Sequence, residues 1–453
     1  MRQWHELAEW SPGMTITAGL AAFCFRAGTE PLPAAVQQRA RLCVADHLHA
    51  AMRGARTETA TRLMRYLNPD GGAPAPTAEA AALFLGAAST VYEIDDVHHD
   101  TSMHTGSVVV SAALGCLAER PSSGRRLLAA IAAGYEVAIR VSIAAGERHY
   151  QYFHSTATCG TIAAAATAAI LYELDPEQMS NAMGLAATSA SGLWEDINDG
   201  AIGVKHLHSG FAAERGIRAA KLAHLGLRAA RRSIEGERGF LAALAGRPSA
   251  APGDVQEILL AGLGERWTIL RNIFKRYPFC LACFEPLEGI RHLVEAGRRP
   301  IDDVRSVLVA LYPRSASIVG QTDPQNQLQA KFSATFAVAL VLAGRDPEDA
   351  TLPEEWLVDP AVRRWYPHVR VLADSTVPRR HARVTVCWND GTEQCADRPL
   401  RSLSESEVWS RFAGACRQFG GARSGELEAV VAGAADLGDA TELFRLVRAA
   451  VGM

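Results

Sequence analysis

The first 270 residues carry apolar side chains at intervals of three and four positions, which is the period of a helix packed against a core. Alanine and glycine occur on all sides of these segments, so neighbouring helices can approach closely. Glycine or proline marks where several segments stop. The predicted helices include residues 34–52, 77–92, 107–119, 124–146, 159–174, 176–190, 206–225 and 236–246.

After about residue 271 the pattern changes to the alternation of half-buried strands. A turn at Asn389-Asp390-Gly391, which tolerates positive φ, predicts a hairpin between the last two strands. One helix, at 331–344, is predicted among them. The predicted strands are VRSVLVALY (304–312), HVRVLAD (368–374), ARVTVCW (382–388) and TEQCAD (392–397).

The tail returns to the helical period at 404–419 and 425–451. The predicted fold is therefore mainly α, with a large all-helical domain and a smaller α+β lid domain. We expect the helical domain to cover 1–270, with 404–453 returning to it, and the lid to cover 271–403.

Composition is that of a globular protein with a substantial core: 48% of the 453 residues are hydrophobic and 21% are charged. The net charge of −3 gives no attraction to nucleic acid or an anionic membrane. The nine cysteines lie mostly in apolar runs and indicate reduced core thiols. The N-terminus lacks the apolar core of a signal peptide, and the apolar run at 161–172 is too short to span a bilayer. We expect a cytoplasmic protein.

Lysine is rare, and arginine is the default basic residue of this chain. Each lysine is therefore informative, because arginine was not an acceptable replacement there. The four lysines are Lys205, Lys221, Lys275 and Lys331.

The densest polar cluster is EIDDVHHDTSMHTGS (93–107), between two predicted helices. Its histidines lack the spacing of common zinc sites. Carboxylates beside histidines can instead provide one acid and one base near neutral pH. A metal site, a metal-free acid–base site and a solvated loop all remain open from the residues alone. The charged members are Glu93, Asp95, Asp96, Asp100, His98, His99 and His104.

Two further clusters open predicted helices. QYFHSTATCGT (151–161) contains His154, and a histidine at a helix start is more often structural than catalytic. AIGVKHLHSGFAAERGI (201–217) contains Lys205 and His208 after a glycine-rich lead-in. A cation beside free helix amides can hold a carboxylate or phosphate, although a solvated helix start is an equal alternative.

The fourth cluster, NIFKRYPFCLACFEPLEGI (272–290), lies where the two patterns meet, and clefts often form at such boundaries. Cys280 and Cys283 lack the additional ligands of a zinc site and the context of a redox pair. A cysteine beside Lys275 and Arg276 would have a lowered pKa and could act as an acid or base. A buried, inert thiol is the alternative.

The order of these clusters along nearly the whole chain resembles the 2-methylcitrate dehydratase family (MmgE/PrpD). The family includes 2-methylcitrate dehydratases, cis-aconitate decarboxylases and iminodisuccinate epimerases. The resemblance implies a helical domain, a lid, a polar cleft between them, a homodimer, a small-molecule carboxylate substrate and no metal or organic cofactor. It rests on Asp95-Asp96 with His98 and His104, GYEVAIR (134–140), His154-Ser155-Thr156, Lys205 through Ala213, Lys275-Arg276-Tyr277-Pro278 and Lys331-Phe332-Ser333.

The chain departs from the family pattern at four positions. Glu93 replaces a shorter acid, and Val97 replaces a hydroxyl residue. Cys280 stands where the decarboxylases have histidine and the epimerases cysteine, which favours cysteine-based proton transfer over decarboxylation. Phe284 replaces a histidine and suggests a less polar pocket for a substrate with an alkyl or aryl arm.

By this resemblance we expect a lyase that removes water from a hydroxylated di- or tricarboxylic acid. The alternatives are an isomerase or epimerase using Cys280, a cis-aconitate-type decarboxylase, and a binder of an anionic metabolite without catalysis. The expected catalytic residues are Asp96, His104, His154, Lys205, Lys275 and Cys280. The expected substrate-binding residues are Glu93, Asp95, His98, His208, Arg276 and Phe284.

Overall fold

The computed structural model describes residues 14–69, 71, 76–195, 203–246, 252–295 and 299–453. Hydroxyl or carboxylate side chains begin several helices by accepting a first-turn amide, as Thr77 does from Ala80. The first group of helices is α1 (Ile16–Thr29), α2 (Ala34–Gly54), α3 (Glu58–Leu67), α4 (Ala78–Thr90), α5 (Thr105–Cys116), α6 (Gly124–Tyr150), α7 (Ser155–Leu171), α8 (Pro176–Ser189), α9 (Val204–His224), α10 (Phe240–Ala245) and α11 (Pro252–Leu260).

The second part combines short helices with strands. Its helices are α12 (Phe284–Glu295), α13 (Pro313–Val319), α14 (Gln327–Lys331), α15 (Ala334–Leu342), α16 (Glu355–Val358) and α17 (Pro360–Arg363). The tail forms α18 (Glu405–Phe419), α19 (Ser424–Ala432) and α20 (Thr441–Val451). The strands are β1 (Val97–His98), β2 (Asn272–Ile273), β3 (Val304–Leu311), β4 (Val369–Ala373), β5 (His381–Trp388) and β6 (Glu393–Pro399).

Four strands form one sheet in the order β4-β3-β5-β6. β3 pairs parallel with β4 and antiparallel with β5, and β5 and β6 form the predicted hairpin. A separate antiparallel pair, β1 with β2, places Val97 opposite Ile273 and His98 opposite Asn272. This small pair joins the loop after α4 to the segment that enters the lid.

Apolar side chains separate into two clusters. One contains residues from 16 to 274 and from 403 to 451, and the other contains Val97 and residues from 273 to 396. The chain is thus mainly helical with a smaller α+β part, as predicted. Helix α6 is long and apolar enough to cross a membrane by length and composition, but 94% of that stretch is buried within the protein.

Close contact between α4 and α9 positions one side of the later site. A side chain added at Gly86 would lie 2.7 Å from the backbone nitrogen of Gly210, so both helices need glycine at this crossing. The contact brings the start of α9, with Lys205, beside the loop that follows α4. Small residues in the sequence therefore fix the distance between two functional segments.

Most predicted elements are confirmed within a few residues. The helix predicted at 331–344 begins at Ala334, because the Ser333 side chain accepts the amide of Phe336 and caps the helix there. Gly146, the predicted end of a helix, has a non-helical φ of 73° and kinks α6, so the helical path is interrupted where predicted. The tail predicted as one helix at 425–451 is wrong, since a turn at Ala434–Asp436 divides it.

Candidate active site

The loop from residue 91 to 104 forms one wall of the site. Glu93 lies at its start with φ of 57°, in the left-handed region that non-glycine residues rarely occupy and that is common at functional sites. The Lys331 ammonium donates to the Val91 carbonyl oxygen at 2.6 Å. Burial lowers the pKa of Lys331 to about 8. This buried lysine therefore holds the backbone from which Glu93 projects.

Glu93 is buried between two lysines. The Lys205 ammonium donates to Glu93 Oε1, and the Lys275 ammonium donates to Oε2 at 2.9 Å. Burial alone would raise the pKa of Glu93, but the two ammonium groups lower it well below its usual range. The same pairing raises the pKa of Lys275 against the effect of its burial. The carboxylate and the Lys275 ammonium are both charged at neutral pH.

His104 immediately precedes α5 and lies beside this triad. Its Nδ1 is 2.8 Å from Asp95 Oδ2, and its Nε2 is 3.7 Å from Glu93 Oε2. Burial lowers the pKa of His104, with Asp95 acting in the opposite direction. A neutral imidazole that donates from Nδ1 to Asp95 keeps a lone pair on Nε2. His104 is therefore built as a proton acceptor.

Glu93, Asp95 and His104 could in principle hold a metal ion, because one ligand atom from each lies within 4.8 Å of the others. Two ammonium groups already contact Glu93, and a cation placed there would face both of them. This arrangement fits an anion better than a metal.

His154 and His208 form a second pair behind the first. Their Nδ1 atoms are 3.0 Å apart, so one ring donates to the other. Burial holds the pKa of His154 well below its ordinary value and lowers that of His208 to about 4. The His154 ring is 6.0 Å from the His104 ring, and its buried Nε2 has no hydrogen-bond partner among the described residues. His154 is therefore a neutral ring packed behind His104.

Glu93, His104, Lys205 and Lys275 line a cavity of about 70 Å³ between the helical part and the lid, whereas His154 and His208 do not line it. The N-terminal ends of α5 and α9 lie at this cavity, through His104 and Lys205, and helix N-termini favour anions. Of the predicted residues, Glu93, His104, Lys205, Lys275 and Cys280 line the cavity, together with Val97. We call this space the inner cavity.

Cys280 lines the inner cavity but does not have the expected low pKa. Burial raises the pKa of its thiol, and the nearby Lys275 only partly offsets this. The expectation of an activated thiolate is therefore wrong. Cys280 is a neutral thiol at neutral pH, which suits a proton donor. Cys283 is fully buried in the lid core.

Asp96 points away from the inner cavity. The Tyr135 hydroxyl and the Asn272 amide donate to its Oδ2, and the Gly106 N–H donates to Oδ1 at 2.8 Å. Burial raises the pKa of Asp96 to about 6 against these hydrogen bonds. Asp96 thus anchors the loop and the start of α5, and does not line the cavity as a catalytic residue would.

Other predicted binding residues also lie outside the wall of the inner cavity. His98 is buried in β1, and its Nδ1 accepts the Asp100 amide at 3.3 Å. Arg276 pairs with Glu407 at 2.5 Å and with Glu348 at 3.3 Å. Phe284 is fully buried in the lid core, 5.1 Å from the Tyr277 ring.

Arg380 from the lid lines the cavity and was missed by sequence reasoning. Its Nε and Nη2 donate to the His99 carbonyl oxygen at 3.0 and 2.8 Å, and Nη2 also donates to Ser102 Oγ. Arg380 and Ser102 both have positive φ, of 63° and 58°. No sequence signal separates this arginine from the many others, because arginine is this chain's default basic residue.

Further lid and rim residues complete the wall. Arg314 and Arg379 pair with Glu147 of α6 at 3.0 and 3.3 Å, and Arg314 also lies 4.8 Å from the Tyr150 ring. Tyr150 and Trp194 line the same cavity. The aromatic residues just before His154 were the available signal for Tyr150.

Comparison with known proteins identifies the family whose models match this chain and several similar proteins. The MmgE/PrpD N-terminal domain model matches residues 18–252, and the MmgE/PrpD C-terminal domain model matches residues 277–408. A cis-aconitate decarboxylase of Aspergillus terreus is 28% identical over 356 residues, covering 72% of this chain and 71% of the relative. The human cis-aconitate decarboxylase is 28% identical over 335 residues, covering 68% and 66%. The cis-aconitate decarboxylase-like protein oryM of Aspergillus oryzae is 27% identical, covering 62% of each chain.

Proposed function

The chain belongs to the MmgE/PrpD family, and on that premise we propose that it is a cofactor-independent lyase acting beside a carboxylate of a di- or tricarboxylic acid. One observation carries the proposal. A neutral histidine, His104, is held by Asp95 at the edge of a cavity that also presents the ammonium groups of Lys205 and Lys275.

The two lysines supply the anion site. Without substrate, both pair with the single carboxylate of Glu93, which leaves more positive than negative charge on this side of the cavity. A substrate carboxylate placed against them would receive charge-assisted hydrogen bonds. The same contacts strengthen when removal of an adjacent proton moves further negative charge onto that carboxylate.

His104 supplies the base. Asp95 fixes the imidazole tautomer, and Nε2 is then free to take the proton from the carbon beside the bound carboxylate. The lowered pKa of His104 keeps the ring neutral at neutral pH, as a base must be. The resulting imidazolium would be stabilised by Asp95 and Glu93.

Elimination of water also needs an acid for the departing hydroxide. Cys280 and Tyr150 both line the inner cavity, and burial raises the pKa of each, so both carry their proton at neutral pH. In the proposed step His104 takes a proton from carbon and the carbon–oxygen bond breaks. Cys280 or Tyr150 protonates the leaving oxygen to give water, and proton return from His104 restores the acid.

Decarboxylation is the second candidate, favoured by the similarity to cis-aconitate decarboxylases. There the carbon–carboxylate bond breaks, carbon dioxide leaves, and an acid protonates the carbon. An epimerase is less well supported, because the raised pKa of Cys280 disfavours the thiolate base that such a mechanism needs.

Proton NMR in D2O with citrate, 2-methylcitrate, cis-aconitate, itaconate and alkyl-substituted analogues tests these alternatives. Loss of water, or hydration of an unsaturated acid, supports the proposal. Loss of carbon dioxide selects the second candidate, and deuterium exchange without net change selects an isomerase. Ligand-dependent thermal stabilisation without product indicates a binder, and no response to any acid contradicts the carboxylate site itself.

A further inference from the structure

A second cavity adjoins the inner one. This outer chamber, of about 760 Å³, shares five wall residues with the inner cavity and extends from them towards solvent. The shared residues are Tyr150, Trp194, Arg314, Ile318 and Phe332. The walls that close the reaction site thus also form the floor of a larger space.

Seven of the twelve residues that line the outer chamber are apolar or aromatic, and the other five are Glu147, Gln151, Glu195, Arg314 and Ser317. Leu193 and Tyr152 line it and are 60% and 63% exposed, so an alkyl chain bound in the chamber would cover apolar surface that otherwise contacts water. Pro313, Ile318 and Phe332 add further apolar wall. Its arginine, Arg314, is paired with Glu147 at 3.0 Å.

Charge gives a bound molecule one orientation. The inner cavity presents Lys205 and Lys275, so the carboxylates of a ligand belong there. The Phe332 ring lies 5.9 Å from the Lys205 ammonium and also lines the outer chamber, so only a few carbon–carbon bonds separate the two environments.

We infer that the substrate is amphiphilic: a di- or tricarboxylate head that occupies the inner cavity and an alkyl arm of several carbons that occupies the outer chamber. The inference rests on the proposed function for the head site and adds the arm. It does not depend on Phe284, which is buried in the lid core and does not reach either cavity wall.

Binding of succinate, butylsuccinate and octylsuccinate, measured by calorimetry, tests the arm without requiring turnover. Burial of each methylene is expected to strengthen binding about threefold until the chamber is filled, since removing apolar area from water is favourable. Because part of a long arm stays in solvent, octylsuccinate should bind about 100-fold more tightly than succinate. An octylsuccinate-to-succinate affinity ratio near one would contradict a site for the alkyl arm but would not affect the lyase proposal. Failure of all three to bind would overturn both.

Variants distinguish binding of the alkyl arm in the outer chamber from nonspecific hydrophobic binding elsewhere on the protein. Leu193→Asp or Tyr152→Asp places a charge in the outer chamber at an exposed position that folding tolerates, and should reduce the octylsuccinate-to-succinate affinity ratio about tenfold. Leu225→Asp is the matched control, because Leu225 is 75% exposed and lines neither cavity. An unchanged ratio in both chamber variants, or an equal loss in the control, would contradict the inference.

Discussion

The loop between α4 and α5 has two sides, on which buried carboxylates are balanced in different ways. On the inner-cavity side, Glu93 faces the ammonium groups of Lys205 and Lys275. On the opposite side, the donors that Asp96 finds among the described residues are all neutral, and Tyr135 is one of them. We call these the reaction side and the anchor side.

The pKa values of the two carboxylates are shifted in opposite directions, although both side chains are buried. The lysines lower the pKa of Glu93 well below its usual range despite burial. Burial raises the pKa of Asp96 to about 6, because neutral donors offset the loss of water only in part. The charge of the partner, more than residue type or depth, decides which carboxylate serves an anion site and which fixes the loop.

Removal of a lysine from the reaction side should have the largest effect. Lys205→Met is expected to lower kcat/KM about 10²- to 10³-fold, by analogy with loss of one donor that stabilises developing negative charge. Stability should change little, since Lys275 still pairs with Glu93. Lys221→Met is the matched control, because Lys221 pairs with Glu79 and Glu119 near the surface, away from both cavities. Similar rates for Lys205→Met and wild type would remove the anion site from the mechanism.

Asp96→Asn tests the anchor side through stability. A carboxyl whose folded pKa is raised from about 4 to about 6 favours the folded state below pH 4, and this contribution is lost as the pH rises from 4 to 6. Two pKa units correspond to about 3 kcal/mol. In urea unfolding from pH 4 to 7, the free energy of unfolding of wild type relative to Asp96→Asn should therefore fall, while buried histidines such as His208, whose pKa is about 4, increase the stability of both proteins over the same range.

Asp100→Asn provides the control for that pH dependence. Asp100 lies in the same loop, but a hydrogen bond from His99 lowers its pKa, so its contribution to stability increases with pH. The free energy of unfolding of this variant relative to wild type should stay nearly constant between pH 4 and 6. If Asp96→Asn and wild type have the same pH dependence, Asp96 is ionised in the fold and the contrast between the two sides fails.

The sequence could predict the helices and much of the reaction side, because both depend on local patterns. His104 and His154 precede helices, and Lys205 begins one, at junctions where cap-type residues and glycines are visible in the chain. Arg380 could not be predicted in the same way. Its contact with the loop crosses about 280 residues and depends on positive φ at two non-glycine positions.

Some side chains that are adjacent in sequence point in different directions, and no local sequence pattern predicts this. Lys275 reaches Glu93, whereas Arg276 points to Glu348 and Glu407. Asp95 and Asp96 diverge likewise. The direction of each side chain depends on the pairing of β1 with β2, which brings together segments about 175 residues apart.

Asp95→Asn tests the carboxylate that precedes Asp96 in sequence but contacts His104 on the reaction side. Asp95 raises the pKa of His104, so the variant should lower that pKa further and move the acidic limb of kcat/KM to lower pH. Loss of the fixed tautomer should also reduce the pH-independent rate about 10- to 100-fold, part of what a positioned base contributes. Ionisation of the substrate affects the pH profiles of variant and wild type equally, so the difference between the two profiles reports on the enzyme. A limb that moves upward would mean that His104 is not the base.

The smallest effect is expected on the lid, where Cys280 contributes a neutral proton donor. Alkylation requires the thiolate, so iodoacetamide at neutral pH should label the exposed Cys395 well before the half-buried Cys280, whose pKa is raised. Cys280→Ser should lower kcat only about tenfold, because Tyr150 lines the same cavity and also carries a proton. Labelling of Cys280 first, with complete loss of turnover in Cys280→Ser, would make the thiolate a base. The lid would then contain an anion stabilised by a cation, as the reaction side does. The isomerase would become the better-supported function.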